Sequence, residues 1–534
     1  MVSTTHFVGL RPPEKTAALL PPLKKGDRGG LALGAESKSP MAPFSKGGKQ
    51  VLRLLASAAL AIALAACTVG PDYVRPDTYA PSAFVRAEST VATHGDTTRP
   101  QASAAEQVEF WRSFGDAQLT GLVEDALSWN HDLKIALARY DRANALLRGA
   151  KFDYFPTITA SGEASDSRLS TDQAAGGPRD GESYSAGIDA VWEIDLFGRI
   201  RRGVEANRAE AAASAADLQA MQVAIVGEVA RTYVELRGLQ ERLRVARENA
   251  DNQRETLRIV DARLEAGRGT EFDTARARAQ LQTTQARVPA LEAQVAVSMH
   301  RLAVLSGRTP DALVAQLQPQ RPLPALPGKL DPGTPGELLR RRPDIAVAEQ
   351  RLHAATARIG IATADLFPRF TLGGLLGSQA IDSGDLFEGG SETRFVALGV
   401  DWSFLDIGRT RARIAAADAD AEGELARYRQ AVLLALEDTE NALVRYARAR
   451  SEDAHLERAA IDSASAARLA RIRFDAGAAD LLEVLDAERT QLVAQDAFAD
   501  ARTRSVGGAV AVYEALAGGW PQRMPVREKL ADAH

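Results

Sequence analysis

The sequence holds a single cysteine among 534 residues, so an intramolecular disulfide is excluded and no thiolate cluster is available for zinc. Aromatic residues are scarce, at 6%, which suits long helices better than a compact sheet protein. Neither sign of charge dominates: 65 basic residues stand against 70 acidic ones, and a nucleic-acid footprint is missing. The histidines are few and scattered, with His131, His300, His353 and His455 in different segments. No Gly-rich phosphate loop or nucleophile elbow accompanies them, so the chain reads as a non-enzyme without a catalytic site or cofactor. Acid pairs such as Asp418 and Asp420 are solvated-face residues of a charged helix. With five methionines and no Met/His cluster, no metal site is expected and metal-ion export is a weak reading.

Long apolar runs are also lacking, with one exception. The stretch from Leu54 to Ala66 follows Lys46, Lys49 and Arg53, the basic and apolar regions of a secretory signal. It is too short and too alanine-rich for a spanning helix, which needs about 20 apolar residues. It ends in Leu64-Ala65-Ala66-Cys67, a pattern that resembles the bacterial lipobox. That resemblance implies a diacylglycerol thioether on Cys67 and an acylated new N-terminus. Thr68 follows the cysteine, as in lipoproteins sorted to the outer membrane. A signal would start near Met41, so residues 41–66 are expected to be the signal and residues 1–40 a mis-assigned start. An ordinary signal peptide or uncleaved anchor is the competing reading.

What the chain does have is a repeat. Phe155-Pro156 recurs as Phe367-Pro368, Trp192 as Trp402, and Gly198-Arg199 as Gly408-Arg409. Arg263-Leu-Glu-Ala-Gly267 recurs as Arg473-Phe-Asp-Ala-Gly477 at nearly the same offset. Repeats over 67–307 and 337–520 are therefore expected, with a proline-rich linker at 308–336 and a tail at 521–534. In each half a helix (118–153, then 336–366) ends at the Phe-Pro pair. Two extended segments follow, then a proline-free helix (199–266, then 409–476), a glycine break and another helix. At 1.5 Å per residue each long helix reaches about 100 Å. Helices of that length are stable when packed as antiparallel coiled coils or a bundle.

The extended segments predict strands at 157–165, 183–197, 370–379 and 394–405. Tyr184, Ala186, Ile188, Ala190, Trp192, Ile194 and Leu196 share one face, opposite Ser183, Ser185, Gly187, Asp189, Glu193 and Asp195. Val396, Leu398, Val400, Trp402 and Phe404 alternate likewise with Ala397, Gly399, Asp401 and Ser403. Such alternation fits a barrel wall with lipid outside and water inside, and also a half-buried soluble sheet; the signal favours the membrane. Trp192 and Trp402 would then form an aromatic girdle. Four strands cannot close a barrel and a lipid-embedded sheet cannot keep open edges, so several chains must share one. The fold class expected is mainly α with a small β-barrel part. A non-pore, lipid-anchored coiled-coil scaffold is the alternative class.

Further segments carry a specific resemblance. Cys-Thr-Val-Gly-Pro-Asp-Tyr-Val-Arg-Pro (67–76) resembles the mature start of outer-membrane efflux lipoproteins of the TolC/OprM/NodT type. Leu-Arg-Arg-Arg-Pro-Asp-Ile (339–345), Ala348-Glu349, Ile359-Gly360 and Asp365-Leu-Phe-Pro-Arg-Phe (365–370) resemble further signatures of that family, and the likeness covers 67–520. It implies a homotrimer with a twelve-stranded barrel in the outer membrane and a helical tunnel in the periplasm. The partners implied are a periplasmic adaptor (membrane fusion) protein and an inner-membrane pump of the RND type, with small molecules exported passively; type I protein secretion shares the architecture. By position Glu483, Asp486 and Asp273 resemble the acids of the tunnel's closed inner end. Acids brought around a narrow axis attract cations, although acids at i, i+3 also simply solvate a helix face. The tyrosine and arginine that latch some members are replaced here by Phe474 and Ala479, so closure must rest on other contacts.

Overall fold

The computed structural model describes residues 68–78, 80–85, 109–174, 177–326, 330, 332–516 and 524–527. Cys67, the signal region and Met41 lie outside the described residues. In chain order the elements are α1 (Ala117–Trp129), α2 (His131–Phe152), β1 (Thr157–Arg168), β2 (Asp180–Ile194), α3 (Arg199–Glu265), α4 (Glu271–Gln285), α5 (Arg287–Leu305), α6 (Pro335–Arg341), α7 (Pro343–Ala364), β3 (Arg369–Ala380), β4 (Glu392–Asp401), α8 (Ile407–Asp475) and α9 (Leu481–Leu516). The chain is thus mainly helical with one four-stranded sheet, and the two halves repeat the same order.

The helices expected over 118–153 and 336–366 are each broken in two. Asn130 ends α1 and caps α2, accepting from the Leu133 N–H while its amide donates to the Leu305 carbonyl. A side chain that satisfies a buried carbonyl and a free helix N–H together fixes the break. At the equivalent point Pro343 has no N–H to continue α6, and it holds Arg342 in an extended conformation (ψ 123°). The second strand is also shorter than expected at its far end. It stops at Ile194 because the Asp195 carboxylate turns to accept the N–H groups of Ile200 and Arg201, capping α3. Likewise β4 stops at Asp401, the last residue paired with β3, and 404–406 form a tight turn. A glycine at φ +71°, Gly267, ends the α3 turn, and Gly477 at φ +72° does the same after α8.

The fourth helical segment of each half differs. In the first half Pro289 cannot donate to the Gln285 carbonyl, and the helix restarts there as α4 and α5. The matching segment of the second half has no proline, and α9 runs unbroken for 36 residues.

The largest core gathers Phe110, Trp111, Phe114, Leu119, Tyr233, Leu302, Leu443, Tyr446 and Val510 where α1, α3, α5, α8 and α9 meet. Leu313, Leu317 and Leu330 of the proline-rich segment are buried in the same core, so that segment is docked where it is described. Arg237, fully buried on α3, donates to the Gln118 and Gln240 amide oxygens and to the Pro319 carbonyl (3.0 Å), tying that segment down. A buried guanidinium is tolerable because both of its terminal nitrogens donate, although its Nε–H has no partner among the described residues.

The residues after 67 form an extended strap across both halves. Val69 N–H donates to the Phe197 carbonyl (3.2 Å). Arg202, its side chain 4% exposed, donates to the carbonyls of Val69 and Gly70 and to Asp72 (2.6 Å). Gly70 stands at φ +87°, and a Cβ there would lie 2.5 Å from the Gly360 Cα. Two glycines, one per half, therefore let backbone meet backbone. Farther along, Tyr73 stacks on His353 (4.4 Å), which contacts Glu205 at 3.0 Å, and Arg75 pairs with Glu349 (2.9 Å). Burial, then the Glu349 charge, pushes the Tyr73 hydroxyl up to about 12. Burial works against the charged form of Glu205, but hydrogen bonds from His353 and Arg202 hold its carboxyl below the usual range.

Candidate functional site

All neighbouring strands pair antiparallel in the order β1-β2-β3-β4. Directly opposed residues share a face, so the register assembles the two surfaces. One face carries the rows Ile158–Ala190–Gly374–Val396, Trp192–Leu372–Leu398 and Ile194–Phe370–Val400. The other carries Thr159–Asp189–Leu375–Phe395, Ser161–Gly187–Gly377–Thr393 and Glu193–Thr371–Gly399. The apolar face is open: Val396 is 81% exposed and Leu398 64%. An apolar patch of that extent on a sheet marks contact with lipid or protein. The opposite face is mostly small and polar, with Ser161 donating to Asp189 (3.1 Å), although Val191, Leu375 and Phe395 interrupt it. Among the described residues no helix is long and apolar enough to cross a membrane.

Trp192 and Trp402 lie at the helical end of the sheet. Each indole N–H donates to a carbonyl at the end of the preceding helical stretch, Tyr154 for Trp192 and Leu366 for Trp402, both at 3.1 Å. Their polar edges are thus satisfied, and their rings remain at the strand boundary. Phe197 and Phe367 stack at 4.6 Å beside them.

The acids singled out at the tips are held by their own hairpins. Asp273 closes a capping box with Thr270: its carboxylate accepts the Thr270 N–H (3.2 Å) and hydroxyl (2.7 Å), and Thr270 Oγ1 accepts the Asp273 N–H. Glu483 pairs with Arg473 across the α8–α9 turn, and its N–H is capped by Asp480 (2.9 Å). Asp486 pairs with Arg489 at 2.6 Å. Glu483 and Asp486 line one open groove of about 370 Å³ with Arg473 and Ser463; Asp273 is not among its lining residues. Phe474, 5% exposed, sits in a small core with Val260, Ala277, Ala470, Leu481, Val484 and Leu485. Above it Glu488, 4% exposed, accepts from Thr256 (2.7 Å) and Arg471 (2.6 Å), joining α3, α8 and α9.

Sequence reasoning missed the Arg202 cradle, the Arg237 hub and the Glu488 junction. The signal was present for the last two: each is a charged residue at an apolar position of an otherwise regular helical stripe. Burial pushes the Glu514 carboxyl up, against the charge of Arg231 beside it, and does the same to Asp453 against Arg502.

The outer membrane efflux protein family matches residues 122–308 and 334–518. The outer membrane protein OprJ of Pseudomonas aeruginosa is 32% identical over 476 residues, covering 87% of this chain and 95% of that protein. The pyoverdine export outer membrane protein OpmQ of Pseudomonas putida is 33% identical, with 80% of this chain and 92% of that one covered. Among solved structures the outer-membrane channel OprN superposes with a TM-score of 0.78 at 41% identity, covering 85% of this chain and all of the other. Open strand edges, an apolar sheet face, a twofold helical repeat and these likenesses agree: the chain belongs to the outer membrane efflux protein family and is an outer-membrane efflux channel.

Proposed function

We propose that three copies of this chain close one barrel and one helical tunnel, through which small molecules pass passively from a periplasmic adaptor and an inner-membrane pump of the RND type. The observation that carries the reading is the sheet: β1 and β4 are edges, and the register gives an apolar face over its helical end, with Arg394, Ser378 and Glu392 farther along the same face. Edges exposed to lipid leave N–H and C=O groups unsatisfied, so the strand β4 of one copy has to meet β1 of the next. Three copies give the even, twelve-stranded closure implied by the family resemblance. The bare flank of α8, with Leu433, Ile461, Leu469 and Ile472 exposed, supplies a matching helical contact between copies. Acyl chains on Cys67 would lie just ahead of the docked strap and supplement a barrel that already spans the bilayer. In a trimer Glu483, Asp486 and Asp273 would recur around the axis, where they would favour cations.

The test is purification in detergent followed by native mass measurement and planar-bilayer recording. A mass of three acylated chains with cation-selective conductance is expected; a non-conducting monomer would reject the reading. Replacing Glu483 and Asp486 together by Ala should raise the basal conductance and lower cation selectivity.

A further inference from the structure

Arg263 and Arg473 occupy the same place in the two halves, yet they take different partners. Arg473 stays within its own hairpin, paired with Glu483 and donating to the Ala478 carbonyl (3.3 Å). Arg263 crosses to the other hairpin. Its guanidinium donates to the Phe474 carbonyl at 2.9 Å, and its central carbon lies 3.7 Å from the centroid of the Phe474 ring. Among the described residues it forms no ion pair.

One methylene separates the two hairpins at the matching acid. At the position equivalent to Glu483 the first hairpin has Asp273, shorter and already engaged by both the N–H and the hydroxyl of Thr270. Arg263 pairs with no acid of its own turn, although Glu265 and Glu271 also stand there, and reaches outward. What it meets suits a cation twice over. The Phe474 carbonyl belongs to the last turn of α8, where the helix dipole is negative, and the ring offers its π face. The Phe474 ring is held still by the small core around Val484 and Leu485.

We propose that Arg263 is the residue that latches the tunnel tip shut, by fastening the end of α3 to the end of α8 through Phe474. This rests on the channel reading above. It supplies within one chain the contact that the Phe474 and Ala479 replacements removed. In this arrangement Asp273 acts in the latch by staying occupied: its capping box keeps Arg263 available to Phe474.

The experiment compares wild type with Arg263→Lys, Phe474→Leu and Asp273→Glu, each checked for trimer content and far-UV circular dichroism, in planar bilayers. Lysine keeps the charge but not the planar stack, and leucine keeps the bulk but not the ring. Both should raise closed-state conductance, by about tenfold for loss of a partly buried cation–π contact in each copy. Asp273→Glu gives the first hairpin the longer acid, which recaptures Arg263 and should raise conductance in the same direction. If all three assemble and conduct as wild type does, while the Glu483/Asp486 double Ala variant leaks, the latch is overturned and the channel stands. If neither wild type nor any variant conducts, the channel reading falls and the latch with it.

Discussion

The two long helices are products of one duplication and have opposite fates. α3 buries 31 of its 67 residues, whereas α8 buries 15 of 69, so α3 is the spine of the chain and α8 is its flank. The difference is written in small residues. α3 carries Gly227 and Gly238 against Glu514 and Thr503 of α9, and a Cβ on Gly238 would lie 2.1 Å from the Thr503 Oγ1. The position of α8 equivalent to Gly238 is Arg448, which is exposed. Close approach is thus possible on α3 at that point and not at the matching point of α8, which instead meets α9 where Gly508 faces the Tyr446 backbone. The helices that return from the tips differ too: Pro289 divides the first into α4 and α5, while Ala499 at the matching position leaves α9 whole. A duplicated sequence keeps its element order under drift, but each half is free to settle which face it buries and where it bends.

The most severe way to break this contrast is to give α9 the bend of the first half. Ala499→Pro removes the hydrogen bond to Gln495 and sets a ring against its carbonyl, at a position 4% exposed. A loss of about 3 kcal/mol or more is expected, seen as loss of assembled protein in urea titration. Next, Gly238→Ala should cost about 1–3 kcal/mol by overpacking against Thr503, while Arg448→Ala stays within about 0.5 kcal/mol. Equal melting shifts for the two would erase the distinction between spine and flank.

The tips can be compared through their caps. Thr270→Ala removes the hydroxyl half of a capping box, and Asp480→Ala removes the acceptor for the Glu483 N–H; each should cost about 1 kcal/mol. Only the first also takes a hydroxyl donor from the Asp273 carboxylate, leaving it the residue-270 N–H, so only the first should alter tip conductance. The smallest effect is on the strap. Glu205 has a depressed pKa in the fold, so its contribution is present above its ordinary value of 4.5 and lost as pH falls through the lower folded value. Cleavage of the 68–78 segment by pepsin should accelerate as the pH is taken below 4.5 in the wild type, and Glu205→Gln should flatten that dependence.

Period-two alternation, the missing prolines and the repeated Phe-Pro, Trp and Gly-Arg marks carried most of the architecture into plain view, because helix length and sheet faces are set by local pattern. The broken helices were less legible. Pro343 stands in the sequence as an obvious stop, but Asn130 breaks α1 from α2 through a bond to Leu305 that is remote in sequence. At the tips the acids could be read by position, yet their partners could not. Whether Asp273 faces an arginine or closes its own cap depends on a single methylene and on the threonine three residues before it. The motif at 67–76 could be recognised by likeness alone; its physical reason, a backbone seated on Gly360 and gripped by Arg202, belongs to tertiary contact.

That grip has a mechanical consequence. Val69, Gly70 and Asp72 converge on one side chain, so a pull on the residues ahead of them is resisted by bonds that must fail together. Arg202 stands in the first turn of α3, and the load would pass directly into the longest rigid rod of the first half. Force applied at the head of the strap would therefore reach α3 without passing along the strands of the sheet.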